Sequence, residues 1–121
     1  MVAGNYDLNI DQGAEFVLQL TIQQADETDF DLTNFTPKAQ IRKAYAGDVA
    51  AEFVCTKLDE QGGILQLALT AAQTALLVDI EYVWDVIIYE GATLPTATQV
   101  IRLLGGIANV TPSVTREVPA P

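Results

Sequence analysis

The stretch from Leu65 to Tyr89 decides the fold and reads LQLALTAAQTALLVDIEYVWDVIIY. Apolar residues alternate with other residues over Leu65–Leu69 and again over Tyr82–Tyr89, which is the period-two pattern of half-buried strands. Between these runs, Thr70 is a good helix N-cap and is followed by alanines and leucines that favour a helix. Two strands joined by a short helical turn predict a β-sandwich with a crossover at one end. Trp84, the single tryptophan, is expected to anchor its core.

Alternation of the same kind continues on both sides of this stretch. Asp11–Gly13 predicts a tight turn, so the two runs around it form either one hairpin or strands of adjacent sheets. Together with Leu65–Leu69 and Tyr82–Tyr89, the pattern predicts about seven strands and one helical turn, which is typical of an all-β, immunoglobulin-like β-sandwich. We expect a single domain over residues 1–121, with an extended C-terminal tail from about residue 111. The further strands are predicted at 6–10, 15–23, 38–43, 50–57 and 98–110.

Several residues carry more local predictions. Leu76 and Leu77 should both dock on the sandwich, because a helix of seven or eight residues is not stable alone. Gly105–Gly106, within the last strand, indicates either a β-bulge or a close approach of another backbone. Pro37 disfavours a central strand position, and Gly62–Gly63 is free to take positive φ. The link before Lys38 should point three apolar side chains inward, namely Phe30, Leu32 and Phe35.

The composition excludes several classes of function. The chain has 121 residues, half of them apolar, and a domain of this size buries roughly two-thirds of its unfolded surface. Its 16 acidic and 6 basic residues give a formal charge of −10, which disfavours direct contact with nucleic acid. No apolar run approaches the roughly 20 residues that cross a bilayer, and the N-terminal residues do not resemble a signal peptide. We therefore expect neither nucleic acid nor membrane as a partner.

The residues that usually carry catalysis are missing or isolated. Histidine is absent, which removes the commonest general base and zinc ligand. The single cysteine, Cys55, is interpreted as a small buried hydrophobe. Asp85 should face away from the core and pair with a cation, either Arg102 or Arg42. The sequence therefore nominates no catalytic, cofactor-binding or metal-binding residue.

Two surface features leave room for binding functions. Asp26, Glu27, Asp29 and Asp31 could ligate Ca²⁺ through oxygens, but the run lacks the glycine and distal glutamate of an EF-hand loop, so a solvated acidic loop is the better interpretation. Exposed tyrosines could form a sugar-stacking platform. The four tyrosines are Tyr6, Tyr45, Tyr82 and Tyr89, of which Tyr82 shares the face of Trp84 and is assigned to the core.

Segments of the chain resemble a family of small tailed-phage virion proteins. DLTNFTPKAQIR (31–42) is similar to a DLTG(Y/F) link that leads into a strand ending in Arg, and LALTAAQTAL (67–76) to an LTxxxT turn. YVWDVI (82–87) matches YxYD(L/V), and RLLGGIANVTPSVTR (102–116) matches a glycine-containing last strand ending in V…P.VT. The chain departs from the pattern where Asn34 replaces the usual glycine and Trp84 the usual tyrosine.

The resemblance implies an immunoglobulin-like or baseplate-upper-protein-like sandwich in a phage tail, baseplate or neck. It further implies a non-enzymatic structural component without a cofactor, which is assembled in the host cytoplasm into the virion. Its partners would be other virion proteins and copies of itself, contacted through strand edges and through Thr111–Pro121. Two alternatives remain open at this point: a carbohydrate- or receptor-binding module, and a small Ca²⁺-dependent or hydrolytic domain.

Overall fold

The two alternating runs around the helical turn form strands of two different sheets. The structure is a computed structural model that describes residues 4–24, 26 and 28–115, and the described residues form an all-β sandwich. One helix, α1 (Ala71–Ala75), and a 3₁₀ turn at Leu94–Thr96 join the strands. The strands are β1 (Gly4–Asn5), β2 (Leu8–Asp11), β3 (Phe16–Thr21), β4 (Thr36–Arg42), β5 (Val49–Glu52), β6 (Val54–Asp59), β7 (Ile64–Leu69), β8 (Glu81–Glu90) and β9 (Gln99–Thr111).

The strands divide into a large sheet and a small sheet. The large sheet has the order β1-β9-β8-β4-β5, and β2 also pairs with β9. β1 and β2 run parallel to β9, whereas the other pairs in this sheet are antiparallel. The small sheet has the order β3-β7-β6 and is antiparallel throughout. The predicted all-β sandwich is thereby confirmed.

Trp84 lies in the core, as expected. Its side chain is 2% exposed, and its ring meets that of Phe53 edge-on with 6.2 Å between centroids. The indole Nε1 donates a hydrogen bond of 2.8 Å to the backbone carbonyl of Tyr6, so the polar atom of this large side chain is satisfied. Leu65, Leu67 and Leu69 of β7 face it from the small sheet's side of the core and are all buried.

The prediction of one strand over residues 50–57 is wrong. The chain breaks at Phe53, so that β5 pairs with β4 in the large sheet and β6 pairs with β7 in the small sheet. Phe53 is 4% exposed, and its N–H donates to the carbonyl of Ala39. Burying this ring between the sheets requires the chain to cross from one sheet to the other there. Partly for this reason, the described residues contain nine strands instead of about seven.

The hairpin alternative for the first two strands is also wrong. β2 belongs to the large sheet and β3 to the small sheet, so the turn at Asp11–Gly13 connects adjacent sheets. Gly13 has φ of 83°, which suits a tight turn. A side chain from α1 fixes the turn, because Thr74 Oγ1 accepts from Gly13 N at 3.0 Å and donates to Ala14 O at 2.8 Å.

The helical turn lies where the sequence predicts it, but only one of the two leucines expected to dock on the sandwich does so. Thr70 is the N-cap: its hydroxyl accepts from Gln73 N, and the Gln73 side chain accepts from Thr70 N in return. Leu77 is 1% exposed and docks as expected, whereas Leu76 is 74% exposed. Thr74 and Leu77 are both buried and lie three residues apart, about one helical turn, so Leu76 between them points to the surface.

The glycine pair marks a close backbone approach and not the bulge. A Cβ at Gly106 would lie 2.6 Å from the Tyr6 carbonyl oxygen, so only glycine fits where the N-terminal strands meet β9. The irregularity between β8 and β9 lies elsewhere, between Val86 and Ile87. Pro37 lies in β4 opposite β8, and β5 pairs only with Gln40–Arg42, so at Pro37 the strand pairs on one side alone.

Candidate interaction surfaces

The acidic loop is organised by its own threonines. Asp26 Oδ1 accepts from the backbone N and the hydroxyl of Thr28, and Asp31 Oδ1 does the same with Thr33. The hydrogen bond from the threonine hydroxyl has the largest effect, followed by the bond from the backbone N. Both lower the pKa of the aspartate in each pair because they favour the charged carboxylate. Glu27 lies outside the described residues. Within residues 4–24, 26 and 28–115, no three His, Cys, Asp or Glu side chains group as a metal site would require.

The outer face of the large sheet carries paired charges around a shallow depression. Asp85 Oδ2 lies 3.6 Å from Arg102 Nε, so Arg102 is the partner of the two that the sequence proposed. Arg42 instead donates to the carbonyl of Gly47 and to Gln40 Oε1. The depression has a volume of about 100 Å³, and its lining includes these four side chains together with Tyr45, Val83 and Trp84.

The tyrosines do not share one surface. Tyr82 is 3% exposed and belongs to the core, as predicted. Tyr45 borders the depression, whereas Tyr89 lies near the opposite end of β8 and is half-buried. Tyr6 follows β1 at the far edge of the large sheet. Only Tyr45 therefore combines high exposure with neighbouring polar groups that could bind a ligand.

Cys55 is half-buried on the inward side of β6 and has no disulfide partner among the described residues. Burial raises the pKa of its thiol to about 11, because the thiolate is disfavoured away from water. A thiol with a raised pKa is a poor nucleophile at neutral pH. Its interpretation as a small hydrophobe is compatible with this environment.

Apart from Asp59, the last residue of β6, which pairs with Ile64, the outer face of the small sheet carries no formal charge along its three strands, and we call this charge-free part the uncharged face. Val17, Ala68 and Val54 form one row across the sheet, since Ala68 pairs with both of the others. Gln19, Gln66 and Thr56 form the next row by the same pairing. The valines of the first row are 51% and 59% exposed. The lack of charge on this face is unusual in a chain with a formal charge of −10. The outward side chains of the uncharged face are Val17, Gln19, Thr21, Val54, Thr56, Leu58, Ile64, Gln66 and Ala68, and Asp59 lies beside Ile64 at the end of β6.

The segment after α1 exposes three aliphatic side chains at alternate positions. Leu76, Val78 and Ile80 are 74%, 78% and 69% exposed, while Leu77 between them is buried. The segment is held in place, because the Gln12 side chain donates to Leu77 O and Val110 N donates to Ile80 O. We call Leu76, Val78 and Ile80 the aliphatic segment. Sequence reasoning missed it, and the only available signal was the unbroken apolar run of residues 75–78.

The C-terminal segment begins at the same end of the molecule. β9 ends at Thr111, whose carbonyl accepts from Gln12 N, and the backbone N of Ser113 donates to Gln12 Oε1. Gln12 therefore contacts both the backbone of Leu77, between Leu76 and Val78 of the aliphatic segment, and the start of the tail. Residues 116–121 of the predicted tail lie outside the described residues.

Comparison with known proteins does not assign a family. No family model matches the chain, and no curated protein matches it. In the described part of the chain, no helix is long and apolar enough to cross a membrane. Fold and surfaces together define a class: a two-sheet all-β sandwich with an uncharged sheet face and an exposed aliphatic segment at one end.

Proposed function

We propose that this protein is a non-enzymatic structural component of a bacteriophage virion, in its tail, baseplate or neck, and that it acts through protein–protein contacts. The observation that carries the proposal is the aliphatic segment. Three neighbouring aliphatic side chains at about 70–80% exposure are unfavourable in water, and burying each against a partner would contribute about 1.5–3 kcal/mol. Exposed apolar clusters of this kind are typical of interaction sites.

The spatial arrangement of the phage-like segments supports the virion assignment. Segment 31–42 contains β4, segment 82–87 lies in β8, and segment 102–116 contains most of β9. These three strands are neighbours in the large sheet, in the order β9-β8-β4. The remaining segment, 67–76, ends β7 and contains α1, whose last residue precedes the aliphatic segment. The resemblance thus falls on one contiguous framework and not on scattered loops.

The finer fold assignment belongs to the same proposal. An immunoglobulin-like or baseplate-upper-protein-like sandwich has two facing sheets and a chain that crosses between them, and the switch at Phe53 provides such a crossing. The virion would be assembled in the host cytoplasm, with copies of this chain and other virion proteins as partners.

The direct test is the protein content of purified particles. Phage particles produced by the organism that encodes the chain would be purified on a density gradient and analysed by mass spectrometry. We expect the chain in the particle fraction in many copies per particle. Particles that contain their other structural proteins but lack this chain would overturn the proposal.

Two variants locate the contact within the particle. Val78→Ser should lower incorporation into particles, and deletion of Ser113–Pro121 should weaken assembly while leaving the sandwich folded, because the core lies before residue 111. Val100→Ser is the matched control, since Val100 is also half exposed but lies in β9, away from the aliphatic segment. Unchanged assembly with both variants would contradict the assigned contact.

A carbohydrate- or receptor-binding module is the second candidate, and the depression beside Tyr45 favours it. An exposed aromatic ring next to amide, guanidinium and carboxylate groups is suited to stacking and hydrogen bonding with a sugar. A glycan array tests it: saturable binding that Tyr45→Ala abolishes and Tyr89→Ala leaves unchanged would support this function. Absence of binding across the array would reject it.

A further inference from the structure

The outer edge of β3 is open and lacks the usual protection of edge strands. β3 pairs with β7 over six residues without interruption, and no strand of residues 4–24, 26 and 28–115 pairs with its other side. Its residues, Phe16–Thr21, are all uncharged and include no proline. Natural proteins normally protect such an edge with charge, proline, a bulge or a covering loop, because an open edge templates pairing with another chain.

The opposite edge of the same sheet, which β6 forms, is protected against pairing with another chain. β6 has a register shift between Lys57 and Asp59, and Lys57 points inward from the edge. The Lys57 ammonium donates to the carbonyls of Leu32 and Phe35, so the loop before β4 lies against this edge. β6 therefore has a bulge, an inward charge and a neighbouring loop. In the same small sheet, β3 has neither a register shift nor an inward charge.

Electrostatics identify the chemistry of the partner. Two copies of a chain with a formal charge of −10 repel each other over most approaches. The edge formed by β3 is the region where a second copy can approach without opposing like charges, because β3 carries no charge and Asp59, the charged residue on the outer face, lies on the far strand β6. A strongly cationic partner would instead favour the acidic loops.

We propose that β3 pairs antiparallel with β3 of a second copy, and that Gln19 lies on the two-fold axis between them. This arrangement places Leu18 opposite Leu20 of the second copy, and Val17 opposite its Thr21. Each inward residue thus faces an inward residue, which the alternation of a shared sheet requires. The two Gln19 amides face each other, and each can both donate and accept a hydrogen bond.

The pairing joins two small sheets into one sheet of six strands, in the order β6-β7-β3-β3-β7-β6. It is isologous, as two-fold contacts between identical chains are. It specifies the surface for the self-association that the proposed function includes, and to that extent it rests on the proposed function.

A charge-swap experiment tests the position of Gln19 directly. Gln19→Lys and Gln19→Glu each place like charges opposite each other at the two-fold axis, so each variant alone should raise the dissociation constant of the dimer at least about ten-fold. An equimolar mixture places Lys opposite Glu and should restore dimerisation to the wild-type level or better. The dissociation constants would be measured by sedimentation equilibrium on the full chain, with thermal unfolding to verify the fold of each variant.

Gln66 provides the matched control. It lies directly opposite Gln19 on the central strand β7 and shares its outward face. Gln66→Lys and Gln66→Glu change the net charge by the same amount as the Gln19 variants, but one strand away from the edge. Association should remain at the wild-type level in both. An equal loss in the Gln66 variants would mean that the sheet face and not the edge makes the contact, and would overturn the proposal.

The remaining outcomes separate this inference from the proposed function. A wild-type chain that stays monomeric at all concentrations, or Gln19 variants that dimerise as the wild type does, would overturn the β3 pairing. Failure of the Lys and Glu variants to rescue each other would also overturn it. If the β3 pairing is overturned but particles contain the protein, the proposed function still stands. If the charge-swap experiment gives the expected result but particles lack the protein, the pairing is established and only the virion role is rejected.

Discussion

The two sheets of this sandwich share one core but present opposite outer surfaces. The large sheet carries ionic and polar groups on its outer face, where Arg102 pairs with Asp85 and Lys38 with Glu52. Apart from Asp59 at the end of β6, the small sheet carries only valines, isoleucine, leucine, alanine and neutral polar side chains on its own outer face. Since both sheets contribute buried apolar side chains to the core, the demand for a core does not explain the difference.

We infer from this difference that one part of the chain stabilises the fold and that another part makes the proposed contact with a second copy. The close backbone approach at Gly106 and the buried Trp84 both belong to the large sheet. The open edge of β3 and the uncharged face belong to the small sheet. Changes in the core of the large sheet should therefore alter folding, and changes at the open edge of β3 should alter association.

The largest expected effect is the loss of stability when a buried side chain of the large sheet is truncated. Trp84→Ala removes a buried ring, its edge-on contact with Phe53 and its hydrogen bond to Tyr6 O, and should lower the free energy of unfolding by about 3–5 kcal/mol. Urea unfolding followed by circular dichroism measures it. Tyr45→Ala, at a side chain that is 78% exposed, is the control and should change the value by less than about 0.5 kcal/mol. Similar losses in both variants would show that Trp84 does not anchor the core.

A smaller effect distinguishes the two neighbouring glycines. Gly106→Ala places a Cβ against the Tyr6 carbonyl and should destabilise the fold by about 1–3 kcal/mol, because backbone must move. At Gly105 the added Cβ would meet only the guanidinium end of Arg102, which is flexible and can move aside. Gly105→Ala should therefore have little effect. Equal thermal shifts in the two variants would contradict the close approach of the N-terminal strands to β9.

The smallest effect is a pH dependence that comes from the small sheet. Burial raises the pKa of Cys55 from 9.0 to about 11, so between these pH values the unfolded chain releases the thiol proton while the folded chain keeps it. The unfolded state is then favoured as pH rises, and stability should fall from about pH 9 to 11. Cys55→Ala should show a shallower fall over the same window in urea unfolding. Parallel curves for the wild type and the variant would refute the raised pKa.

Local patterns predicted much of the fold. Alternation placed β7, β8 and their inward residues correctly, and Thr70 fixed the start of α1, because these features depend on neighbours two to four residues apart. The crossing at Phe53 was not predictable, since residues 50–57 alternate on both sides of it and only the distant β4 and β7 decide their separate pairing. The parallel pairing of β1 and β2 with β9 also depends on residues about 100 positions apart.

The surfaces were less accessible to sequence reasoning than the core. Leu76 and Leu77 look alike in sequence, yet one is exposed and the other buried, because the end of α1 at Ala75 sets their directions. The uncharged face emerges only when β3, β6 and β7 are placed side by side. The pairing of Asp85 could be predicted because its partner, Arg102, lies on the neighbouring strand β9.

The proposed association of this acidic chain with a second copy through the uncharged edge strand β3 is tested most directly by the mass in solution as a function of salt. Salt screens the repulsion between copies of charge −10 without weakening an uncharged contact. Sedimentation equilibrium should therefore show a mass that rises from 13.0 kDa towards twice that value as sodium chloride increases. A mass that stays at 13.0 kDa at every concentration and salt level, or an oligomer that dissociates as salt increases, would contradict the account.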